Sequence, residues 1–397
     1  MAIDVLKPSK RFLFIGAGLS CCVLARRLVE LNPDIVCDII DKRDHIGGNC
    51  FTYVDDATGI TVHKYGPHIF NTSNTTVVDY IQRFSEFDDY IHRVKAIIPG
   101  DGVYSLPINL HTINQIYNST LSPSEAEILI NKERVLLDRP AYNFEEQALA
   151  FLGDTIYRKL IYGYTKKQWG CEPSELPSSI IKRLPVRFNY NDSYYTSSYS
   201  GIPSNGYTEI FTKMLTLHQI NVYLGQSFSK SMQTDYNHIF YSGPIDQYFD
   251  YIHGRLGYRT VSWIDYHDNG DYQGNAQNNY PSMLQDYTRI IEHKHFTPHC
   301  SFDKTLFSVE YSSETGPNDE PYYPKRLPND LEKFANYINA ANEQDRVSFI
   351  GRLGTYRYLD MHKVIRESLE FAEVINRCSK NGKQVPIFPL EKNELLS

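Results

Sequence analysis

A fully apolar run at residues 12–15 opens the pattern of hydrophobic and polar positions. A run without alternation is typical of a parallel strand that is buried on both faces. A helical segment follows at residues 20–31, and a second run at residues 36–40, apolar except for Asp38, predicts another buried strand. Strand, helix and strand in this order predict a βαβ unit at the start of a parallel sheet.

The pattern changes its character several times further along the chain. Helices are predicted at residues 77–84, 110–181, 207–217 and 361–378, with Ser122 as a cap and Pro123 in the first turn. Strands are predicted at residues 96–99 and 103–106, which form a hairpin, and at 187–199, 238–241, within 257–309, and at 347–350. Residues 379–397 are expected to form a peripheral tail.

A glycine turn joins the first strand to the first helix. Gly16 and Gly18 stand where backbone must approach a pyrophosphate closely, and the helix opening near Leu19 presents free N–H groups to that anion. Asp41 ends the second strand about 20 residues later, where a carboxylate can bind a ribose hydroxyl. Cys21 replaces the third glycine of the usual fingerprint and is small enough for helix packing. The segment predicts a dinucleotide site.

The continuation of the chain favours a flavin over a nicotinamide. After Asp41 the chain passes through Lys42 to Gly47, Gly48 and Asn49, where a nicotinamide-binding fold would proceed to a helix. Paired glycines let this loop lie against the flavin side of a cofactor. The stretch therefore predicts that FAD is the dinucleotide.

The complete pattern predicts an α/β fold in which a Rossmann-like FAD-binding domain is discontinuous, because a helical-bundle domain and an antiparallel β-sheet domain are inserted into it. The expected boundaries are residues 1–95, 203–250 and 340–397 for the FAD-binding domain, 108–184 for the helical domain, and 96–107, 185–202 and 251–339 for the antiparallel substrate domain.

Composition excludes several classes of protein. A net charge of −7 gives no electrostatic case for binding nucleic acid, and no apolar run approaches the roughly 20 residues of a membrane span. Seven cysteines match neither a disulfide framework nor zinc spacing, so we expect reduced thiols in the cytoplasm. An export signal ahead of Cys21 is the alternative, but its apolar run is short and its removal would destroy the nucleotide turn.

Seven further motifs, in order, are shared with one protein family. They are HKYGPHIF at residues 63–70, GYTKKQWG at 163–170, IIKRLPVRF at 180–188, GPIDQYFDY at 243–251, YTRIIEHKHF at 287–296, DEPYYP at 319–324 and YRYLDMH at 356–362. Through them the chain resembles, from about residue 11 to residue 378, the bacterial-type UDP-galactopyranose mutases.

The resemblance implies an unusual use of flavin. Members interconvert the pyranose and furanose forms of a nucleotide-diphosphate sugar, without net redox, through an adduct between the sugar and N5 of reduced FAD. The resemblance also implies a cellular reductant such as NADPH, a homodimer, and a furanose product used for polysaccharide. The protein itself would bind the diphosphate, orient the sugar and exclude water.

The resemblance assigns substrate-binding roles to residues of this sequence. Arg183 and Arg289 match the arginines that contact the diphosphate, for which a planar, permanently charged guanidinium is suited. The tyrosines that donate to the diphosphate, an aromatic residue near the uridine and one near the sugar match Tyr322, Tyr356, Tyr194 and Trp169. The alternatives are surface ion pairs for the arginines and core packing for the aromatic rings.

Cofactor contacts are assigned in the same way. His68 matches the histidine beside the isoalloxazine, where an imidazole can donate or accept a hydrogen bond. Further positions in segments that contact FAD are Asn49, Arg352, Asp360 and Met361. Asp360 is equally suited to capping the helix that follows it.

Two departures from the family pattern bear on the substrate. Asn71 stands where galactose-specific members usually have a second histidine, and Pro67 replaces the usual alanine. Related mutases act on UDP-N-acetylgalactosamine or on dTDP-fucopyranose. Because a shorter, uncharged amide changes both space and hydrogen-bonding groups near the sugar, these substrates stay open beside UDP-galactopyranose.

Three other hypotheses compete with a mutase. An amine-oxidase-like flavin oxidoreductase would share the nucleotide domain, but an amine offers no phosphate to the arginines and tyrosines. A sensor would bind flavin or nucleotide sugar without turnover. The third is a metal site, because His293, His295, His299 and Cys300 resemble ligands and His293 and His295 are expected on one face of a strand. We expect no metal, since that run belongs to a sheet that binds none in the family.

Overall fold

The computed structural model of the protein describes residues 10–178, 180 and 186–396. Its helices are α1 Leu19–Leu31, α2 Thr75–Ile81, α3 Leu110–Ile116, α4 Pro123–Glu133, α5 Phe144–Ile156, α6 Gly163–Trp169, α7 Tyr207–Met214, α8 Ile245–Tyr248, α9 Pro328–Asn342, α10 Gly351–Gly354, α11 Met361–Lys380 and α12 Lys392–Leu396. Its strands are β1 Lys10–Ile15, β2 Ile35–Asp41, β3 Thr52–Val54, β4 Thr61–His63, β5 Phe70–Thr72, β6 Phe87–Asp89, β7 Val94–Ile98, β8 Gly102–Leu106, β9 Tyr199–Pro203, β10 Ile220–Leu224, β11 His238–Tyr241, β12 Tyr258–Asn269, β13 Gln277–Asn279, β14 Arg289–Glu292, β15 Lys304–Glu314, β16 Tyr323–Pro324 and β17 Val347–Phe349.

A parallel sheet with the strand order β10-β2-β1-β11-β17 forms the first layer. Successive side chains of β1 point to opposite faces, so Phe12 and Phe14 pack among residues of α1 and α11, whereas Leu13 packs among residues of α8 and α9. Both faces are therefore mainly apolar, as the hydrophobic runs predict, with Asp38 and His238 as buried polar exceptions. The predicted α/β class with a discontinuous Rossmann-like sheet is confirmed.

The larger sheet has the order β16-β12-β15-β14-β13-β7-β8 and is antiparallel except for the pairing of β13 with β7. The predicted hairpin forms its β7-β8 edge, with register Ile97 to Val103. The expectation of strand structure at residues 187–199 is wrong except at Tyr199. That residue opens β9, which pairs with β5 and β6 in a separate three-stranded sheet.

Helices α3 to α6 lie together between the hairpin and β9. The predicted start at Ser122 is confirmed, because Ser122 and Glu125 form a reciprocal capping box at the start of α4. Gly153 interrupts α5 with a φ of +76°, and a π-helical stretch at Tyr157–Tyr162 continues into α6. The bend brings α6 under the large sheet, where it carries several residues of the site described below.

The C-terminal segment is not peripheral, which corrects the expectation from sequence. Ser348 Oγ donates to Pro386 O at 2.6 Å, and Phe349 N donates to Ile387 O at 2.8 Å, so the segment covers the edge of β17. Leu395, on α12, is fully buried. The sequence did not predict the burial of this segment, because its apolar residues are spaced too far apart to form a periodic signal. The domain boundaries stay a prediction.

Candidate active site

A cleft of about 610 Å³ opens at the carboxyl ends of β1, β2 and β11. Because β1 has β2 on one side and β11 on the other, this is the switch point at which open α/β sheets bind ligands. The cleft brings together six of the predicted cofactor residues, namely Gly16, Gly18, Asp41, Lys42, Gly48 and Asn49. Leu19 begins α1 beside it.

The glycines at this cleft are required by close backbone approach. A Cβ on Gly16 would lie 2.4 Å from Ser242 Oγ, and the φ of +105° there disfavours any other residue. A Cβ on Gly48 would lie 2.9 Å from the Cα of Gly18. Gly18 caps α1 without a side chain and the first turn has no acidic residue, so the helix N-terminus is suited to an anion.

Asp41 is held rigidly at the end of β2. Its carboxylate accepts from Ala17 N at 2.7 Å and from Arg43 N at 2.9 Å. Arg43 in turn donates to Asn49 Oδ1 at 3.0 Å and lies 4.4 Å from the centre of the Tyr65 ring. Two segments separated by the glycine pair are thereby fixed to the same wall of the cleft.

A second cleft, of about 560 Å³, lies between α6, β14, β16 and the loop after α10. Among its lining residues are the predicted Trp169, Tyr194 and Arg289. Tyr164 and Gln168, on α6, line it as well and were not predicted. Arg183, the other predicted diphosphate contact, lies outside the described residues.

The two remaining predicted tyrosines do not line this cleft, and their neighbours in the same motifs do. Tyr356 is fully buried, and its hydroxyl donates to Gly257 O at 2.7 Å. Tyr322 packs against Tyr65 and Trp263. Tyr323 and Tyr358 line the cleft instead. Each motif contains two tyrosines, so the sequence pattern by itself does not show which of the two lines the cleft.

Arg289 presents a partly buried positive charge to the second cleft. Its Nη2 donates to Glu310 at 2.6 Å, and Glu310 also accepts from Trp263 Nε1 and Thr288 Oγ1. Burial opposes the charge, but the Glu310 carboxylate outweighs it and raises the pKa of Arg289 well above its ordinary value. Nε of Arg289 has no partner among the described residues. An anion bound here would satisfy that N–H.

His68 is held as a neutral imidazole. Burial, followed by the positive charge of Arg352, lowers its pKa to about 4. Its Nδ1 lies 2.9 Å from the carbonyl oxygen of Gly66, and because a carbonyl only accepts, Nδ1 must carry the proton. Nε2 is then a hydrogen-bond acceptor.

Arg352 stands between the two clefts. Its guanidinium lies 5.4 Å from the ring centre of Tyr323 and 5.2 Å from that of Tyr358, both of which line the second cleft. The next residue, Leu353, lines the first cleft. α10 thus joins the dinucleotide cleft to the aromatic cleft.

The other predicted positions lie nearby but outside both linings. Asp360 precedes α11 and pairs with Lys363 at 3.1 Å, and its side chain makes no cap hydrogen bond in the described structure. Met361 Sδ lies 3.7 Å from Cys50 Sγ, beside the glycine loop. Asn71, on β5, accepts from Ser197 Oγ at 3.2 Å and donates to Ile69 O at 3.3 Å.

One group of side chains has the composition of a metal site. Ligand atoms of Asp271, Glu292 and His295 lie within 4.8 Å of one another. Lys294 Nζ lies 3.6 Å from Asp271 and 3.8 Å from Glu292, so an ammonium already balances these carboxylates. The predicted shared strand face of the histidines is wrong, because β14 ends at Glu292 and a 3₁₀ turn at His293–Phe296 follows.

The sheet, its switch-point cleft and the second aromatic cleft define a Rossmann-like dinucleotide-binding enzyme. A family model described as UDP-galactopyranose mutase matches residues 159–358, and one described as NAD(P)-binding Rossmann-like domain matches residues 15–84. The chain belongs to the UDP-galactopyranose mutase family and is a nucleotide-sugar pyranose/furanose mutase, which confirms the resemblance found in the sequence.

Two curated relatives cover nearly the whole chain. A probable UDP-galactopyranose mutase of Klebsiella pneumoniae is 45% identical, over 96% of this chain and 98% of the relative. A dTDP-fucopyranose mutase of Escherichia coli is 43% identical, over 93% and 99%. A crystal structure of reduced UDP-galactopyranose mutase shares the fold, with a TM-score of 0.74 and 14% identity over 98% of this chain and 99% of that one. No described helix is long and apolar enough to cross a membrane.

Proposed function

We propose that the protein binds FAD in the first cleft and, with the flavin reduced, interconverts the ring forms of a UDP-galactose-type nucleotide sugar in the second. The observation that carries the proposal is Arg289, which lines an aromatic cleft, has a buried Nε without a partner among the described residues, and pairs with the fully buried Glu310 behind it. A permanent cation whose Nε–H has no partner among the described residues suits a diphosphate oxygen. A protonated amine, as in a flavin amine oxidase, would offer that N–H no acceptor.

FAD fits the residues of the first cleft. The α1 N-terminus and Gly16 would receive the pyrophosphate, and Asp41 would bind the ribose of the adenosine part. The Gly48 loop leads from there towards Arg352 and the second cleft. Reduced FAD supplies the nucleophilic N5 that the anomeric carbon requires, and it returns unchanged in redox state.

The protein's own residues would bind and orient the sugar nucleotide. Arg289 and the hydroxyls of Tyr323 and Tyr358 would receive the diphosphate, so that binding energy at this end places the sugar near α10. Trp169 would pack against the sugar and exclude water, and Tyr194 would lie nearer the base. Neutral His68, with its Nε2 as an acceptor, would receive a hydrogen bond from the flavin without adding positive charge.

The identity of the sugar rests on fewer observations. The two relatives named above act, by their names, on UDP-galactopyranose and on dTDP-fucopyranose, and their identities to this chain are nearly equal. Asn71 is held through both ends of its amide, by Ser197 and Ile69, so it presents a fixed hydrogen-bonding surface. We propose UDP-galactopyranose as substrate, with dTDP-fucopyranose and UDP-N-acetylgalactosamine as alternatives. The proposal includes reduction by NADPH or another cellular reductant in the cytoplasm and a homodimer, as in the family.

The experiment that tests the function is anaerobic turnover by dithionite-reduced protein with each of the three sugars, followed by chromatography of pyranose and furanose forms. Ring interconversion of one sugar without net flavin oxidation is expected. Interconversion of none, together with consumption of oxygen and an amine, would indicate an oxidoreductase. Tight binding of a nucleotide sugar without any turnover would indicate a sensor.

A further inference from the structure

Lys167 has an environment that its neighbours on α6 lack. Its ammonium donates to four backbone carbonyl oxygens, of Tyr280 at 2.6 Å, Ser282 at 2.8 Å, Gln285 at 2.9 Å and Tyr287 at 2.8 Å. An ammonium has three N–H groups, so these four acceptors more than satisfy it. It has no carboxylate partner among the described residues, and burial lowers its pKa to about 8.

The four carbonyls belong to the loop at residues 280–287, which joins β13 to β14. Arg289, the first residue of β14, is separated from this loop by Thr288 alone. The four carbonyl groups point towards the ammonium. Without this charge their arrangement would be unfavourable, because carbonyl dipoles that converge repel one another. The conformation of the loop therefore depends on the Lys167 charge, and the loop leads through Thr288 into the start of β14.

Helix α6 is pressed against the same loop from its other end. A Cβ on Gly163 would lie 2.2 Å from Pro281 O, so the helix begins in direct backbone contact with the loop. At its C-terminal end, Arg259 donates to the carbonyls of Lys167 and Gln168. The helix therefore has little freedom to shift alone.

Different faces of α6 contact the second cleft and the loop at residues 280–287. Tyr164, Gln168 and Trp169 line the second cleft, whereas Lys167 reaches into the loop. We infer that Lys167 is a positioning residue for substrate binding, which ties the aromatic wall on α6 to the wall that carries Arg289. The inference rests on the proposed function, since it assigns the second cleft to the nucleotide diphosphate.

The test compares Lys167→Ala with Lys166→Ala in the FAD-loaded protein. Lys166 is the matched control, because it neighbours Lys167 on α6 but is more exposed and pairs with Glu172. Calorimetric Kd values for UDP and dTDP are expected to rise at least about tenfold in Lys167→Ala, about 1.4 kcal/mol, and to stay unchanged in Lys166→Ala. FAD content should equal that of the wild type in both variants.

Chemical rescue separates positioning from a general structural defect. n-Propylammonium should restore nucleotide affinity to Lys167→Ala, because it can donate to the vacated carbonyls. Tetramethylammonium, which has the charge without an N–H, should not. An unchanged Kd in Lys167→Ala, or a lowered affinity that both cations restore equally, would overturn the inference.

A second measurement on the wild type covers the case in which Lys167→Ala does not fold. On addition of UDP, amide hydrogen exchange should slow together in residues 163–169 and 280–287, and a response in one segment alone would contradict coupling. If the wild type binds neither nucleotide and interconverts no sugar, the proposed function fails. If the wild type binds and Lys167→Ala binds equally well, only the inference about Lys167 fails.

Discussion

The rings of Tyr323 and Tyr358 stack at a centroid distance of 5.5 Å and an interplanar angle of 26°. The guanidinium of Arg352 lies over both rings. Residues from β16 and from the loop after α10, which are distant in sequence, therefore form one continuous wall at the junction of the two clefts. This wall is rigid, because cation and rings are stacked on one another.

Tyr358→Phe is expected to weaken binding of UDP by roughly 10- to 150-fold, because it removes a hydroxyl that would donate to a charged phosphate oxygen, a bond of about 1.5–3 kcal/mol. The measurement is the Kd of UDP by calorimetry. Thermal unfolding should change little, since the ring is retained.

Tyr356→Phe should show the opposite pattern and serves as the control. Its hydroxyl donates to Gly257 O in the core, so its loss should lower the free energy of unfolding by about 1–3 kcal/mol and leave the Kd of UDP nearly unchanged. A larger effect of Tyr356→Phe than of Tyr358→Phe on affinity would restore the original assignment of these two tyrosines.

Arg289→Lys should reduce kcat/KM at least about 100-fold, because a compact ammonium lacks the planar fork that lets Nη2 pair with Glu310 while Nε–H points elsewhere, at the diphosphate. Steady-state kinetics of the reduced enzyme provides the measurement. Arg93→Lys, at an exposed ion pair with Asp192, should leave the kinetics unchanged. Equal activity of both variants would remove Arg289 from substrate binding.

Gly48→Ala should lower retention of FAD. Its φ is +55° and an added Cβ would lie 2.9 Å from the Gly18 backbone, so the loop that faces the cofactor must shift. The ratio of flavin to protein absorbance after gel filtration is the measurement. Gly59→Ala is a control for φ alone, since its φ is +72° but nothing lies within 4 Å of its Cβ. Full FAD retention in Gly48→Ala would contradict the placement of the cofactor.

Acid should destabilise the folded protein through buried histidines. Burial lowers the pKa of His238 to about 3, whereas an unfolded histidine titrates near 6.5. Between these two pH values the unfolded state binds more protons than the folded state. The contribution of neutral His238 to the free energy of unfolding is therefore complete above about pH 6.5 and decreases as the pH falls towards 3. His238 alone should account for about 2 kcal/mol at pH 5.

Denaturant unfolding at pH 7 and pH 5 measures this difference. His238→Gln removes the titrating group, and the glutamine amide can still form a hydrogen bond with Ser348 Oγ. The loss of stability between pH 7 and pH 5 should therefore be smaller in this variant. His111→Gln, on the exposed surface, should leave the loss as in the wild type. An undiminished loss in His238→Gln would show that another group dominates.

Asn71→His should raise turnover of UDP-galactose relative to dTDP-fucose, because an imidazole adds a longer donor near the sugar 6-hydroxyl that fucose lacks. The ratio of kcat/KM values for the two sugars is the measurement. Ser197→Ala, which frees the Asn71 carbonyl oxygen, should change the same ratio to a smaller extent. A constant ratio in both variants would remove Asn71 as the specificity determinant.

Local sequence determined the parallel sheet and the dinucleotide turn. The strands β1, β2 and β11 are recognisable from their composition, because strands buried on both faces are mainly apolar, with Asp38 and His238 as the polar exceptions. Gly16, Gly18 and Asp41 are likewise recognisable, since their chemistry requires a fixed spacing along one βαβ unit. The motifs after residue 63 then identified the family.

Tertiary structure alone decided which members of each motif line the second cleft. Tyr322 and Tyr323 are neighbours, and the direction of β16 places one beside Trp263 and the other in the cleft. The partners of Lys167 could not be predicted from the sequence either, because its four carbonyl partners lie more than a hundred residues away along the chain. The sequence states which functional groups a residue offers, whereas the packing of distant segments determines which site those groups face.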